Sequence, residues 1–144
     1  MTAPYIMLVD DEVPFVETMS KRLVKRGLKV IAADSGNDAL VKLGQESKVD
    51  VIILDVKMPG MDGLETLQEI KKRYPIKEVI MLTGHATVET AIEGMKLGAF
   101  DYLMKPCDLD ILMSKVQEAF KKKHEHESKI DKARIDKLVL TRGY

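Results

Sequence analysis

The sequence predicts an α/β fold: a doubly wound sheet of five parallel strands alternating with five helices, the last of them extended. Three observations predict it. Short apolar runs alternate along the chain with amphipathic stretches. Each run is too short for a stable helix, and each ends in turn or polar residues.

The runs are Tyr5–Val9, Val30–Ala33, Val49–Leu54, Glu78–Leu82 and Phe100–Met104, rich in Ile, Val, Leu and Met. Between them the apolar residues recur at helical spacing. Phe15, Met19, Leu23 and Val24 share a face in Pro14–Arg26, and Gly27 is the expected stop. Ala39, Leu40 and Leu43 follow Ser35-Gly36, and Leu64, Leu67, Ile70 and Lys71 begin a helix ended by Pro75. Ala91, Ile92 and Met95 mark a fourth helix closed by Gly98, and Leu109, Leu112, Val116 and Phe120 a fifth after Asp108. Such alternation implies a parallel sheet covered on both faces. Right-handed crossovers leave few topologies, of which the flavodoxin-like (βα)5 order 2-1-3-4-5 is the commonest.

A change of character near Lys121 suggests two parts, a domain over 1–123 and a charged helical tail over 124–144. The run KKKHEHESKIDKARIDKLVL holds helix formers and meets no Gly or Pro until Gly143. It either extends the fifth helix or forms a detached one. Ile130, Ile135, Leu138 and Leu140 make a broken apolar stripe, read as part of a solvated tail, with a homodimer seam as the alternative.

Bulk properties narrow the function. Apolar residues form 45% of 144, enough for a core. Lys plus Arg and Asp plus Glu both number 23, so no net charge draws the chain to nucleic acid or an anionic membrane. Cys107 is the single cysteine, and no segment could span a bilayer, so a cytoplasmic protein is expected.

Ligands of open parallel sheets bind beyond the carboxyl ends of the strands. There the first strand delivers Asp10-Asp11-Glu12, the third Asp55, the fourth Thr83 and the fifth Lys105-Pro106. Crowded carboxylates need a cation or bound protons, and hard oxygen ligands suit Mg²⁺. Lys105 can hold a phosphoryl oxygen beside the metal, Thr83 can donate one hydrogen bond to it, and a carboxylate there can act as nucleophile. Each residue also has a plainer reading. Asp10-Asp11 can cap a helix, Asp55 can start a turn, Thr83 can cap a helix near Ala86, and Lys105 can be a surface lysine. Their coincidence on one rim favours the chemical reading.

The segments LVDDE, LDVKMPGMDG, LTGHA and DYLMKP resemble the successive signatures of response-regulator receiver domains, from about Pro4 to Lys122. The resemblance implies Asp55 as phosphoacceptor and Asp11 with Asp55 as metal ligands. It implies that Asp10 supports the metal, partly through water, and that the Lys57 carbonyl completes the set. Thr83 and Lys105 would contact the phosphoryl group, Tyr102 would be the aromatic switch, and Lys105-Pro106 would be cis. A sensor histidine kinase would be the donor, and an output domain or protein the receiver of the signal. The run LTGHATVETAIEGMKLGAFDYLMKPCD is more similar to receivers of AAA+ transcription activators than to those of chemotaxis regulators. With no Walker motif and no DNA-binding helix pair in the sequence, it is read as a free-standing receiver or a piece of a longer regulator.

Neighbouring residues receive lesser roles. Lys57 and His85 should border the phosphoryl group, Cys107 should only pack, and His124 and His126 lack metal-ligand partners. Two other functions compete: a Mg²⁺-dependent small-molecule phosphohydrolase with Asp55 as nucleophile, and a pseudo-receiver that only binds. A hydrolase wants a lid that these short connections do not supply. An intact acid, Thr and Lys set speaks against the pseudo-receiver.

Overall fold

In the computed structural model, residues 3–141 are described, so the last residues of the expected tail, with Gly143, lie outside them. The strands are β1 (Tyr5–Val9), β2 (Lys29–Ala33), β3 (Val51–Leu54), β4 (Glu78–Thr83) and β5 (Asp101–Met104). The helices are α1 (Val13–Lys25), α2 (Gly36–Gln45), α3 (Gly63–Arg73), α4 (Val88–Lys96) and α5 (Leu109–Thr141). All strands run parallel in the order 2-1-3-4-5, as expected.

Alternation within the strands builds two cores. Met7, Val9, Ile52, Leu54, Val79 and Met81 face one side, against Leu40 and Leu43 of α2 and Leu67 and Ile70 of α3. Ile6, Leu8, Val51, Ile53, Ile80 and Leu82 face the other, against Met19 and Leu23 of α1 and Leu112, Val116 and Phe120 of α5. Burial of each such side chain contributes roughly 1.5–3 kcal/mol. Both faces being buried explains why these strands read as continuous apolar runs.

Several boundaries differ from expectation. Val49 and Asp50 precede β3, and Phe100 precedes β5, although all were apolar or adjacent to apolar runs. Their backbone leads into the sheet rather than pairing along it: the Asp50 amide donates to the Tyr5 carbonyl at 2.8 Å and the Phe100 amide to Val79 at 2.7 Å. The fourth helix is capped by Thr87, not Thr83, through a reciprocal box with Thr90. Gly27 and Gly98 end α1 and α4 at positive φ, 87° and 104°. The Lys105-Pro106 peptide is cis.

α5 is one continuous helix that runs on well past Phe120, its last fully buried residue. Lys123 bonds Asp50 at 2.9 Å and also pairs with Glu127 one turn on. Beyond it Ile135 and Leu138 are exposed and Leu140 is 79% exposed. No helix among the described residues is long and apolar enough to cross a membrane.

The start of α3 is pressed against the end of β3. A Cβ at Gly63 would lie 2.0 Å from the Asp55 carbonyl oxygen and 2.6 Å from the Val56 Cα, both backbone atoms that cannot turn aside. Gly63→Ala should therefore lower stability by about 1–3 kcal/mol in thermal or urea unfolding. Gly44→Ala, in the exposed last turn of α2 with nothing nearer than the Tyr74 hydroxyl at 3.9 Å, should raise it by roughly 0.5–1 kcal/mol.

Candidate functional site

The residues expected at the rim come together because strand register puts them there. Val9 pairs with Leu54, so Asp10 and Asp55, the next residues, emerge side by side. The Asp10 amide donates to Ala33 at 3.1 Å and the Asp55 amide to Val9 at 3.0 Å, continuing the ladder by one residue. Thr83 is the last residue of β4, and Lys105 follows β5 with its amide donating to the Thr83 carbonyl at 2.9 Å.

Asp10 and Asp55 are each only 2% exposed, whereas Asp11 faces solvent. One carboxylate oxygen from each of the three lies within 4.8 Å of the others. This is an oxygen-rich, partly open donor set, the kind that suits a hard divalent cation. A cavity of about 440 Å³ opens beside it, lined by Asp11, Glu12, Asp55, Lys57, Met58, Pro59 and His85. Lys57 and His85 thus line the same cavity as Asp11 and Asp55.

Lys105 is held off Asp55. Its Nζ donates to Asp10 Oδ2 at 2.6 Å and to Glu12 Oε1 at 3.0 Å, but stands 3.9 Å from Asp55 Oδ2. It also sits 4.0 Å from the centre of the Phe15 ring. Burial works against its charge, yet the Asp10 and Glu12 hydrogen bonds outweigh burial and raise its pKa above the ordinary lysine value. Asp10 is shifted upward as well, by burial first, with the Asp55 charge adding and Lys105 and the Glu12 amide opposing. Its carboxylate is thus costly without a further cation.

The remaining groups are oriented by local bonds. Asp55 Oδ1 accepts from the Val56 amide at 2.8 Å, which fixes the plane of the carboxyl. Thr83, fully buried, accepts at Oγ1 from the His85 amide at 3.0 Å. Tyr102 is half-buried with its hydroxyl 2.9 Å from Thr90 Oγ1. Cys107 packs against the α1–α5 core, as expected.

Sequence reasoning missed Glu12, Phe15 and Thr90. Glu12 stood in the quoted acidic run, but its partner is 93 residues away. Phe15 was counted with the core, and nothing in its spacing foretells a lysine over its ring. Thr87 and Thr90, at capping-box spacing, carried a signal that went unread.

Comparison with known proteins agrees with this geometry. The response regulator receiver domain family matches residues 6–117. The chain is 35% identical over 122 residues to the DNA-binding transcriptional regulator NtrC of Salmonella typhimurium, covering 85% of this chain and 26% of that protein. It is 38% identical over 143 residues to a putative NtrX-like response regulator of Rickettsia felis, covering 96% of this chain and 30% of the other. The chain thus spans about a quarter to a third of the length of these relatives. A receiver domain protein of Clostridium thermocellum is similar in structure, with TM-score 0.80 and 36% identity over 84% of this chain and 97% of that one. NtrX of Brucella abortus, solved with ADP, gives TM-score 0.83 and 30% identity over 90% of this chain and 30% of its own.

A divalent cation should raise the melting temperature, because it relieves crowding that exists only when the chain is folded. At a hundredfold excess over Kd the gain would be about 2.7 kcal/mol. Asp11→Ala should weaken this response while leaving cation-free stability unchanged or higher. The response should also shrink on acidification sooner than an ordinary Asp would allow, because the raised pKa of Asp10 lets a proton compete earlier. Thermal shift with and without cation across mildly acid to neutral pH measures both effects, and an unaltered cation response in Asp11→Ala would remove that residue from the ligand set.

Proposed function

The chain belongs to the response regulator receiver domain family, and on that premise we propose that Asp55 accepts a phosphoryl group from a sensor histidine kinase in a Mg²⁺-dependent step and thereby switches an output surface. The supporting observation is the buried Asp55 carboxylate, which shares one rim with two further acids, an ammonium and a hydroxyl from separate strand ends.

An Asp55 oxygen attacks phosphorus, forming a P–O bond as the P–N bond to the kinase histidine breaks and its electron pair returns to the imidazole. The Val56 amide keeps the attacking carboxyl in place. Mg²⁺ held by Asp10, Asp11, Asp55 and the Lys57 carbonyl would neutralise charge on the phosphoryl oxygens. Lys105, held on Asp10 and 3.9 Å from Asp55 Oδ2, needs only a short swing to reach a phosphoryl oxygen on Asp55. Thr83 already accepts from His85, so its own O–H is the group left to donate to the phosphoryl group. The domain acts on itself: it promotes its own phosphorylation and dephosphorylation and turns over no separate substrate.

We read 1–123 as the receiver and 124–144 as a charged tail or linker to an output domain or protein, or the seam of a homodimer. Relatives are transcriptional regulators, so nucleic acid is approached through an output partner and not by this zero-charge domain. A cytoplasmic location follows from a kinase donor of this class.

Incubation with a small acyl phosphate and Mg²⁺ should add one base-labile phosphoryl group, seen by intact mass, and Asp55→Asn should abolish it. Full labelling of Asp55→Asn would refute the acceptor. Steady release of phosphate from a small ester would instead indicate a hydrolase, and no labelling at all a binding module. Thr83→Ala should still be labelled, but with much smaller NMR shifts at Tyr102 and along α4 and α5 than labelled wild type shows. Equal shifts would dismiss Thr83 and Tyr102 as switch residues.

A further inference from the structure

Thr83 and Tyr102 are expected to communicate, yet the hydrogen bonds that connect them run through the start of α4. The Thr83 hydroxyl oxygen holds the His85 amide at 3.0 Å. Two residues later Thr87 caps α4, its Oγ1 accepting from the Thr90 amide at 3.1 Å while Thr90 Oγ1 accepts from the Thr87 amide at 3.0 Å. Thr90 Oγ1 then meets the Tyr102 hydroxyl at 2.9 Å.

Thr90 Oγ1 is the hub of these bonds: it lies 3.0 Å from both the Thr87 amide and Thr87 Oγ1, 3.1 Å from the Thr87 carbonyl and 2.9 Å from the Tyr102 hydroxyl, so the bond to Tyr102 shares its oxygen with the capping box. One turn on, the same helix face makes room for the ring: a Cβ at Gly94 would lie 3.3 Å from Tyr102 Cδ2 and 3.6 Å from Cε2. Thr90 and Gly94 thus form a slot on α4 that fits both the hydroxyl and the flat of Tyr102.

We propose that Thr90 is a positioning residue, which holds Tyr102 in the α4 slot and ties its release to the β4–α4 loop through the Thr87–Thr90 capping box. This rests on the reading of Asp55 as phosphoacceptor. When the Thr83 hydroxyl turns to the phosphoryl group it carries the His85 amide with it, residues 84–87 shift, and the cap that presents Thr90 shifts with them. Tyr102 loses its hydrogen bond to Thr90 at that moment. Communication therefore passes along the chain into the helix cap.

The test separates this relay from a merely structural cap. Thr90→Val removes the Thr90 hydroxyl and with it the side-chain half of the box, Thr90→Ser keeps both, and Tyr102→Phe removes only the Tyr102 hydroxyl. In unphosphorylated protein, Thr90→Val and Tyr102→Phe should each move the His85 and Thr87 amide signals and the ring-102 signals. The double variant should add little to either, and Thr90→Ser should look like wild type. Loss of one hydrogen bond favours the released state by about five-fold, so labelling by the acyl phosphate should quicken by a similar factor in Thr90→Val and not in Thr90→Ser. Additive shifts in the double variant, or a Thr90→Val protein whose His85 signals and labelling rate match wild type, would overturn the relay while leaving Asp55 as acceptor. If no variant and no wild-type protein takes the label, the acceptor reading has failed and the relay falls with it.

Discussion

Charge compensation at the carboxyl rim is the constraint on which the rest of the structure depends. Pairing of β1 with β3 brings Asp10 and Asp55 out side by side, both nearly inaccessible to water. Two buried carboxylates side by side repel one another, and a nearby positive charge relieves that repulsion. Lys105 supplies one positive charge, and it reaches the rim from β5, across the end of β4. The Phe15 ring of α1 and the carboxylate of Glu12, the residue before that helix, steady it. One ammonium against a cluster of acids leaves a negative surplus, and that surplus makes the rim attract a cation. The strand order 2-1-3-4-5 thus sets the chemistry: any other neighbour for β3 would separate the charges that must meet.

That constraint also explains how much was legible beforehand. Strands buried on both faces must be apolar at almost every position, so Tyr5–Val9 and the interior of β4 could be read directly. Acids and a lysine at strand ends stand out against such runs, which made Asp10, Asp55 and Lys105 visible as a set. Val49 and Phe100 were misplaced inside strands, because burial alone makes a residue apolar whether or not its backbone pairs in the ladder. The resting position of Lys105 on Asp10 and Glu12 was not legible either. It depends on which of several carboxylates lies nearest, a matter of ångströms that spacing does not encode. The Tyr102–Thr90 bond was hidden for a similar reason, since either hydroxyl could have faced water.

The helices differ in how firmly they are held. α5 sinks Leu112, Val116, Ala119 and Phe120 into the core, and α3 sinks Thr66, Leu67 and Ile70. In α4 the buried residue is Gly94, while Val88, Ile92 and Met95 stay exposed. Displacing α4 therefore uncovers little apolar surface, so few kilocalories oppose its movement. Its position is set mainly by polar contacts at its first turn, and those can be exchanged for others at small net cost. A helix held in this way is the element most readily biased by one new charge at the rim.

α5 must answer to the opposite end of the sheet. Asp50 accepts the Tyr5 amide at Oδ2 and Lys123 at Oδ1, each within 2.9 Å, and so ties the helix to the amino ends of β1 and β3. Lys123 also pairs with Glu127 in the next turn, and His124 packs edge-on against Phe120 at 4.6 Å. These contacts fix the direction in which the helix leaves the domain. A helix of 33 residues is about 50 Å long at 1.5 Å per residue. With its near half anchored in the core, a tilt of a few degrees at the domain would displace Thr141 by ångströms. Two mechanically different helices thus follow the rim, α4 after Thr83, held softly, and α5 after Lys105, held stiffly.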